Sequence, residues 1–239
     1  MMLFRYDPAL LERFPTTRGG VIWARGLRNG PTPPGLVEAF RQEQQATLAR
    51  LGDTPLSNVP SLAAWRRVFS AFGVEPTKYR NAAEALLRRL TKQGDIPTIS
   101  LLVDLGNLVS IRYGLPLAVF DRRHTSGPIT VRFAHGDERF TDLGAAEVVH
   151  PDPGEVIFAD ETGLVSARRW CWRQSDQSAS REDTTEALIT VEGHHDTAEQ
   201  DVRAALTDLE TLLVAYLPES RLVADLLTPD HPDFAPDTQ

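Results

Sequence analysis

Five short runs of β-branched and aromatic residues follow one another in the second half of the chain, and their spacing limits the folds that this sequence can adopt. Each run is bounded by Gly, Asp or Pro. The runs are LAVFD (117–121), ITVRFA (129–134), VIFAD (156–160), LVSARRW (164–170) and ALITVEG (187–193). Runs of this length and composition are typical of β-strands. Because the intervals are too short for regular βαβ crossovers, we expect a mixed or antiparallel sheet.

Helical patterns lie before and after these strands. Ser61 offers an N-cap to a helix that Gly73 ends. Asn81 and Glu84 form a capping-box-like pair at the start of a helix that Gly94 ends. A surface helix with the polar run RQEQQ is expected over residues 36–51, after the breaker cluster NGPTPPG. Apolar residues at helical spacing predict helices over residues 100–113 and 198–217. The predicted fold class is therefore α+β, with helices packed around the sheet.

The composition indicates one folded domain. The chain has 239 residues, of which 41% are hydrophobic and 24% charged, and single domains of roughly 200–250 residues are common. The single cysteine, Cys171, excludes an internal disulfide and a cysteine-based zinc cage. The first residues carry charges and a proline where a signal peptide would be apolar, and no apolar stretch approaches the ~18–20 residues that cross a bilayer. We therefore expect a cytoplasmic protein.

Charge is distributed unevenly along the chain. The net charge is −8, and residues 196–239, with ten acidic side chains and two arginines, account for it. Residues 61–92 are locally basic, with five arginines and two lysines against two glutamates. Such a stretch is either the solvated surface of two helices or a surface that binds RNA phosphates. The sequence leaves both interpretations open.

Common catalytic motifs are missing from the sequence. It contains no GxxxxGK[ST], no GxGxxG and no HExxH, which argues against nucleotide hydrolysis and zinc proteolysis. His194 and His195 are adjacent, and neighbouring residues of a strand point to opposite faces, so they are poorly placed to bind one metal ion. Cys171, between Trp170 and Trp172, is interpreted as a packed side chain rather than a nucleophile. We expect no metal and no cofactor.

The most specific pattern is the stretch LVDLGNLVSIRYGLPLAVFD (102–121) followed by ITVRFAHGDERFTDLGAAEVVHPDPGEVIFAD (129–160). It resembles the B3/B4 domain of the bacterial phenylalanyl-tRNA synthetase β subunit, where a helix of the form VVDxTNYVLLELGxPxHAFD leads into VRxAxxGExLxxLDG and later LVIAD. The matching positions in the first stretch are Val103, Asp104, Asn107, Gly114, Pro116, Phe120 and Asp121. Those in the second stretch are Val131, Arg132, Ala134, Gly136, Leu143, Ala159 and Asp160.

This resemblance covers about residues 61–193 and implies a B3/B4-like fold with a substrate pocket. The pocket residues that it implies are Asn107, Asp121, Asp176 and Thr184. The alternative for Asn107 is a side chain that braces a buried helix, and the alternative for Asp176 is a turn residue in a loop. Two features depart from the family pattern. The histidine of PxHAFD is replaced by Ala118 in this chain. The segment RRWxWRQSD stands where the synthetase has an MGGExS-type turn, and in this respect the chain is more similar to solo versions of the domain.

Arginines near these segments are candidates for binding tRNA. They are Arg66, Arg67, Arg88, Arg89, Arg169 and Arg173. Arginine beside an exposed Trp170 or Trp172 would suit stacking on the unpaired CCA end of a tRNA. A tryptophan edge buried in the sheet, with the arginines paired to acidic neighbours, explains the same pattern. The sequence does not separate these alternatives.

The resemblance implies a trans-acting role in aminoacyl-tRNA quality control, namely hydrolysis of tRNA-Phe misacylated with Tyr or a Tyr-like amino acid. The expected partner is the aminoacylated 3′ end of tRNA, and DNA and membranes are not expected as partners. Because the aminoacylation modules of the synthetase are absent at this length, we do not expect a complete tRNA ligase. The alternatives are a non-catalytic module that binds tRNA or a free aromatic amino acid, and a metal-dependent hydrolase that uses His194 or His195.

Four segments are expected along the chain. They are an N-terminal strand-helix extension (1–60), a B3/B4-like core (61–195), a C-terminal helical segment (196–226) and a disordered acidic tail (227–239). The expectation of disorder rests on the final run TPDHPDFAPDTQ, in which prolines and aspartates alternate with few apolar residues.

Overall fold

The computed structural model describes residues 1–237, which form helices and strands of an α+β fold, as predicted. The helices are α1 (Pro8–Arg13), α2 (Pro34–Leu51), α3 (Pro60–Ala71), α4 (Ala82–Gln93), α5 (Leu101–Tyr113) and α6 (Ala198–Tyr216). The strands are β1 (Phe4–Tyr6), β2 (Arg18–Arg25), β3 (Leu117–Asp121), β4 (Ile129–Phe133), β5 (Phe140–Thr141), β6 (Val148–Val149), β7 (Val156–Ala159), β8 (Val165–Arg168), β9 (Arg173–Gln174), β10 (Glu186–Gly193), β11 (Arg221–Leu227) and β12 (Asp233–Phe234).

The strands form one six-stranded sheet, one four-stranded sheet and a two-stranded ribbon. The six-stranded sheet has the order β12-β1-β4-β7-β8-β9, in which β1 and β4 are parallel and the other pairs antiparallel. The four-stranded sheet, β11-β2-β10-β3, is antiparallel throughout, and β5 pairs with β6. Each of the five runs identified in the sequence contains a strand, so the predicted mixed or antiparallel arrangement is confirmed.

Strand β2 lies inside the four-stranded sheet and separates two hydrophobic cores. Because successive side chains of a strand point to opposite faces, Ile22 and Ala24 pack with the core beneath α2, α5 and α6, whereas Val21 and Trp23 pack with a second, aromatic-rich core between the two sheets. Both faces of β2 are therefore covered. This explains why GVIWA is apolar without alternation.

The two ends of the chain complete both sheets. β1 lies between β12 and β4, and β2 lies between β11 and β10. The segment expected to be helical up to residue 226 instead ends with β11 in the four-stranded sheet. The predicted disordered tail is also incorrect for the described residues, because β12 pairs with β1 and Phe234 is buried. Residues 238 and 239 lie outside the described residues.

Three of the four predicted helix ends are confirmed. α3 ends at Ala71, just before Gly73, which has a positive φ of 85°. The Asn81 side chain accepts a hydrogen bond from the Glu84 backbone N–H at 2.9 Å, and Gly94 ends α4 in the left-handed conformation at φ 82°. Ser61 does not cap α3, because Pro60 occupies the first turn and Val59 precedes it without a side-chain cap. Proline lacks the N–H that a cap would satisfy and is preset for the first helical turn.

Candidate functional site

A cavity of about 420 Å³ opens between the start of α5, strand β3 and the loops beside β9. Its apolar wall is formed by Ile99, Val103, Leu117, Ala118 and Val119. Its polar wall is formed by Asn107, Asp142, Arg173, Gln174 and Ser180. A mostly apolar concavity with a few converging polar groups is typical of a site for a small organic group.

Gly106 explains how α5 comes so close to β3 at this cavity. A Cβ atom at residue 106 would lie 2.7 Å from Cδ2 of Leu117, which is closer than unbonded carbon atoms approach. Glycine therefore lets the helix pack directly on the strand. This contact places Asn107, the next residue of α5, and Ala118, the next residue of β3, in the wall of the same cavity.

Asn107 is the predicted pocket residue that the structure brings into the cavity. Its side chain is half-buried, and among residues 1–237 no hydrogen bond joins its carboxamide to another residue. The alternative role, a brace for the buried helix, would require such a bond. The carboxamide is thus able to donate to and accept from a group in the cavity.

Asp121 and Thr184, which the resemblance implied as pocket residues, lie outside the cavity wall and bind each other. The Thr184 hydroxyl donates to the fully buried Asp121 carboxylate at 2.7 Å, and Arg123 donates to the same carboxylate. Burial acts to raise the pKa of Asp121, but the hydrogen bonds from Arg123 and Thr184 outweigh it and lower that pKa. These hydrogen bonds hold the end of β3 in place, so the structure gives Asp121 and Thr184 a structural role.

Asp176 also lies outside the cavity wall, in the loop after β9. Its carboxylate accepts hydrogen bonds from the Gly144 backbone N–H at 3.1 Å and from Arg181 at 2.8 Å. Its own N–H donates to the Thr141 carbonyl at 3.0 Å. Asp176 therefore ties its loop to the segment that carries Asp142, as a turn residue of this type can.

The polar wall also contains Asp142 and Gln174, which sequence reasoning missed, beside the predicted Arg173. Asp142 and Arg173 form an ion pair at the cavity, and the Gln174 amide donates to the Val119 carbonyl at 2.6 Å. Asp142 is 35 positions from Asn107 in the chain, so no local pattern relates them. Only the pairing of β8 with β9 and the bridge between Asp142 and Ser175 bring them to one cavity.

A second concavity of about 400 Å³, here called the basic groove, adjoins the cavity. It is lined by Lys78, Arg80, Arg88, Arg89, Lys92 and Gln93, and it shares Trp172 and Arg173 with the cavity. Among residues 1–237, Lys78, Arg88, Arg89 and Lys92 form no ion pair. Their charges are therefore available to an anionic ligand.

The other predicted tRNA-binding arginines are used differently. Arg66 donates to the Glu84 carboxylate, with a distance of 3.1 Å from Nε to Oε2, so an acidic partner already balances its charge. Arg67 is exposed and lies outside the lining of the basic groove. The Arg169 guanidinium lies 4.1 Å from the ring centre of Tyr79 and 4.7 Å from that of Trp172. Of the predicted arginines, Arg88, Arg89 and Arg173 line the groove.

The two tryptophans of RRWCWR have different environments. β8 ends at Arg168, and the next two residues adopt positive φ angles of 45° at Arg169 and 60° at Trp170. Trp170 is fully buried in the second core, which agrees with the buried-edge alternative. Trp172 is half-buried between the cavity and the groove. The arginines beside it, Arg169 and Arg173, pair with acidic side chains, so stacking on a nucleotide stays a prediction. Left-handed backbone at non-glycine residues is strained and is concentrated at functional segments.

The adjacent histidines His194 and His195 are buried in the protein interior. Burial, helped by His195 and Arg18, lowers the pKa of His194 to about 3, and its ring centre lies 4.4 Å from that of Trp65. His195 Nε2 lies 2.7 Å from an Asp201 carboxylate oxygen. Within residues 1–237, no three His, Cys, Asp or Glu side chains lie close enough to hold a metal ion. Burial also raises the pKa of Cys171, which packs beside the second core.

Among the described helices, none combines the length and the apolar character that crossing a membrane requires.

Comparison with known proteins places this chain in a family. The B3/4 domain model matches residues 64–209. The phenylalanine–tRNA ligase β subunit of Mesorhizobium japonicum is 33% identical over 138 residues, which are 58% of this chain and 17% of that protein. The same subunit of Thermobifida fusca is 34% identical over 113 residues, which are 47% and 13% of the two chains. This chain therefore spans less than a fifth of the length of these relatives.

A solved structure also resembles the fold. It is an N-terminal fragment of the phenylalanyl-tRNA synthetase β subunit from Pyrococcus horikoshii, with a TM-score of 0.48 and 14% sequence identity over 92% of this chain and 50% of the fragment. The family model, by contrast, matches more than half of the chain and includes α4, α5 and the strands around the cavity. The chain belongs to the B3/4 domain family.

Proposed function

We propose that this protein acts on aminoacyl-tRNA, with the aminoacyl group in the cavity and the 3′ end of the tRNA in the basic groove. The observation that supports this most directly is that the two concavities share Trp172 and Arg173. An aminoacyl ester and the nucleotide that bears it need adjacent sites of this kind, one mostly apolar and one basic. The names of the relatives, which are tRNA ligase subunits, agree with a tRNA-related role.

The basic groove has the chemistry that an unpaired tRNA end requires. Lysine and arginine side chains without acidic partners gain affinity by releasing counterions from phosphates. The half-buried Trp172 ring, with the Arg173 guanidinium 4.8 Å from its centre, is a candidate surface for base stacking, worth roughly 1–3 kcal/mol per base. The acidic side chains in residues 196–239 explain how a protein of net charge −8 can still carry a local basic surface.

Hydrolysis of a misacylated tRNA is the reaction that we propose for this site. Water attacks the ester carbonyl carbon, the bond to the ribose oxygen breaks, one proton of the water passes to that oxygen, and the remaining hydroxyl group of the water completes the carboxyl group. The products are the free amino acid and the 3′ hydroxyl of the tRNA. An aminoacyl ester is already activated, so positioning of the substrate and of the water accounts for much of the rate. The Asn107 carboxamide lines the cavity and has no hydrogen-bond partner among residues 1–237, so it is suited to that positioning.

Release of labelled tyrosine from Tyr-tRNA-Phe tests this proposal. We expect release above the spontaneous rate with wild-type protein, and a loss of at least about fivefold with Asn107→Ala, because one hydrogen bond to a reacting group is worth roughly 1–3 kcal/mol. Asn58→Ala is the matched control, since Asn58 is exposed and belongs to neither lining. Spontaneous-rate release together with absent binding of tRNA would contradict the proposal.

A second function, binding without hydrolysis, is favoured by one observation. Ala118 occupies the position of the family's histidine, and the described wall of the cavity carries no histidine or cysteine. Such a module would hold aminoacyl-tRNA or a free aromatic amino acid. Saturable binding of Tyr-tRNA-Phe, or of free tyrosine or phenylalanine, without release above the spontaneous rate would support this function over the deacylase.

A further inference from the structure

The charged side chains of the cavity wall are Asp142 and Arg173, and they pair with each other. Neither is deeply buried, since 33% of the Asp142 side chain and 50% of the Arg173 side chain are exposed. An exposed pair of this kind contributes at most about 1 kcal/mol to stability. The pair can therefore open at little cost when a ligand offers each member a new partner.

Asp142 is held in place by more than this ion pair. Residue 142 forms a β-bridge with Ser175. On one side of it, Thr141 accepts hydrogen bonds from the Asp176 N–H at 3.0 Å and from the Gln177 amide at 2.9 Å. On the other side, the Gly144 N–H donates to Asp176 at 3.1 Å. A carboxylate on such a fixed segment needs little ordering when it binds a cation.

Arg173 faces both concavities, because it lines the cavity and the basic groove. The two charges of the pair therefore stand at the junction where an aminoacyl ester meets its nucleotide. An aminoacyl-tRNA carries one cation there, the α-ammonium group, and anions on its phosphates. The exchange replaces the one internal pair by two, an Asp142–ammonium pair and an Arg173–phosphate pair, so every charge at the junction has a partner.

We propose that Asp142 is a specificity-determining residue that binds the α-ammonium group of the aminoacyl substrate. This inference rests on the proposed function and adds the substrate class: aminoacyl-tRNA with a free α-amino group, as opposed to N-acylated or peptidyl-tRNA. The apolar wall at Val103, Leu117 and Val119 receives the amino-acid side chain. An N-acylated substrate has no cation for Asp142 and leaves that carboxylate unpaired beside an amide.

The test compares the binding of three ligands to wild-type protein: Phe-tRNA, N-acetyl-Phe-tRNA and phenyllactyl-tRNA. The phenyllactyl ester replaces the ammonium by a hydroxyl group without adding bulk. An ion pair to the partly exposed Asp142 carboxylate is worth up to about 1 kcal/mol, or about fivefold in affinity, so we expect both uncharged ligands to bind up to about fivefold more weakly than Phe-tRNA. Equal binding of the three would overturn the inference.

The Asp142→Asn variant separates ammonium binding from a role in holding the loop. We expect it to bind Phe-tRNA about as weakly as wild type binds phenyllactyl-tRNA, and we expect Asp142→Glu to regain part of the preference. An equal loss for all three ligands would mean that Asp142 only holds the loop, and would overturn the inference. Binding of all three without preference leaves the proposed function intact, whereas binding of none by wild type rejects both.

Discussion

The phenol oxygen of Tyr6 lies 2.7 Å from Oε1 of Glu192, and the indole Nε1 of Trp170 lies 3.0 Å from the same oxygen. The Glu192 carboxyl group is buried in the second core, between β10 and the aromatic side chains. Burial raises its pKa to about 7, against the opposing effect of the two hydrogen bonds. Glu192 is thus a buried acid that loses its proton near neutral pH.

His194 lies two residues further along the chain, and its pKa is shifted in the opposite direction. Its pKa falls to about 3 through burial and through the nearby His195 and Arg18. The folded protein therefore holds the Glu192 proton more tightly than the unfolded chain and the His194 proton less tightly. For Glu192, the contribution to stability is full below pH 4.5 and is lost as the pH rises to about 7. For His194, it is full above pH 6.5 and is lost as the pH falls to about 3.

The Glu192→Gln variant should change the pH dependence of the free energy of unfolding. Between pH 4.5 and 6.5 the two contributions have opposite slopes of about 1.4 kcal/mol per pH unit and cancel in the wild type. Without the Glu192 titration, we expect the free energy of unfolding to rise with pH across this interval. Urea unfolding at a series of pH values, fitted for each variant, measures the slope.

His194→Gln serves as the matched variant, because it should give the reverse slope over the same interval. Slopes are compared because each substitution also changes stability by a pH-independent amount. If Glu192→Gln had the wild-type slope, Glu192 would have no raised pKa and the burial argument would be wrong.

Gly106→Ala should weaken ligand binding without large loss of stability. The new Cβ would displace Leu117, which forms part of the cavity wall. Alanine gains about 1 kcal/mol of helix propensity over glycine, which offsets much of the displacement. We therefore expect the free energy of unfolding to change by less than about 1 kcal/mol, and the affinity for Phe-tRNA to fall because the cavity is narrower.

Gly20→Ala is the control for this prediction. A Cβ at residue 20 would meet three Leu206 atoms at 2.7–2.9 Å, at the contact of β2 with α6 and away from the cavity wall. We expect it to lose about 1–3 kcal/mol of stability while the folded protein binds Phe-tRNA normally. If Gly106→Ala bound Phe-tRNA with normal affinity, Leu117 would not form part of the ligand site.

Local features of this fold could be predicted from sequence because their causes are local. Asn81 caps the start of α4 and the left-handed Gly94 ends it, and both residues directly adjoin the helix in the sequence. The five strands β3, β4, β7, β8 and β10 could be predicted for the same reason, since their composition and bounding residues mark them. β12 could not be, because Phe234 is ordered by pairing with Phe4, at the other end of the chain.

The candidate site could be predicted only in part, because it depends on long-range contacts. Asn107 follows from a motif inside one helix. Asp142 could not be identified, since a bridge to Ser175 brings it to the cavity. Arg66 is one of the candidate tRNA-binding arginines, but Glu84 on the neighbouring helix neutralises it. A pattern of charges along a sequence indicates a basic stretch and does not indicate which charges are already paired.

Charge reversal at Arg89 should reduce tRNA binding more than the same change at Arg67. Arg89 lines the basic groove, whereas the exposed Arg67, on the preceding helix, does not. Loss of a phosphate contact should lower the affinity and also reduce the slope of log affinity against log salt by about 0.7–0.9 per contact. Titrations of labelled tRNA at several salt concentrations, for Arg89→Glu and Arg67→Glu, measure both quantities. Identical effects would show that only the overall charge matters.

Asp176→Ala tests whether this residue recognises the substrate or positions the loop of Asp142. A carboxylate that binds a substrate hydroxyl discriminates strongly between tyrosine and phenylalanine, by up to ~10⁴–10⁵, so its loss would change the ratio of release from Tyr-tRNA-Phe and Phe-tRNA-Phe. Because Asp176 lies outside the cavity wall and binds the Gly144 N–H, we expect both rates to fall together and their ratio to stay the same.

Arg181→Ala is the control for Asp176→Ala, because it removes the ion pair of Asp176 and leaves the contact of Asp176 with Gly144. That ion pair is exposed and contributes little to stability, so we expect Arg181→Ala to retain most of the wild-type rate on both substrates. A changed tyrosine-to-phenylalanine ratio in Asp176→Ala would instead mean that the loop moves its carboxylate into the cavity when substrate binds. In that case Asp176 would be a substrate-binding residue, as the family resemblance implied, and the unliganded geometry would describe only its resting position.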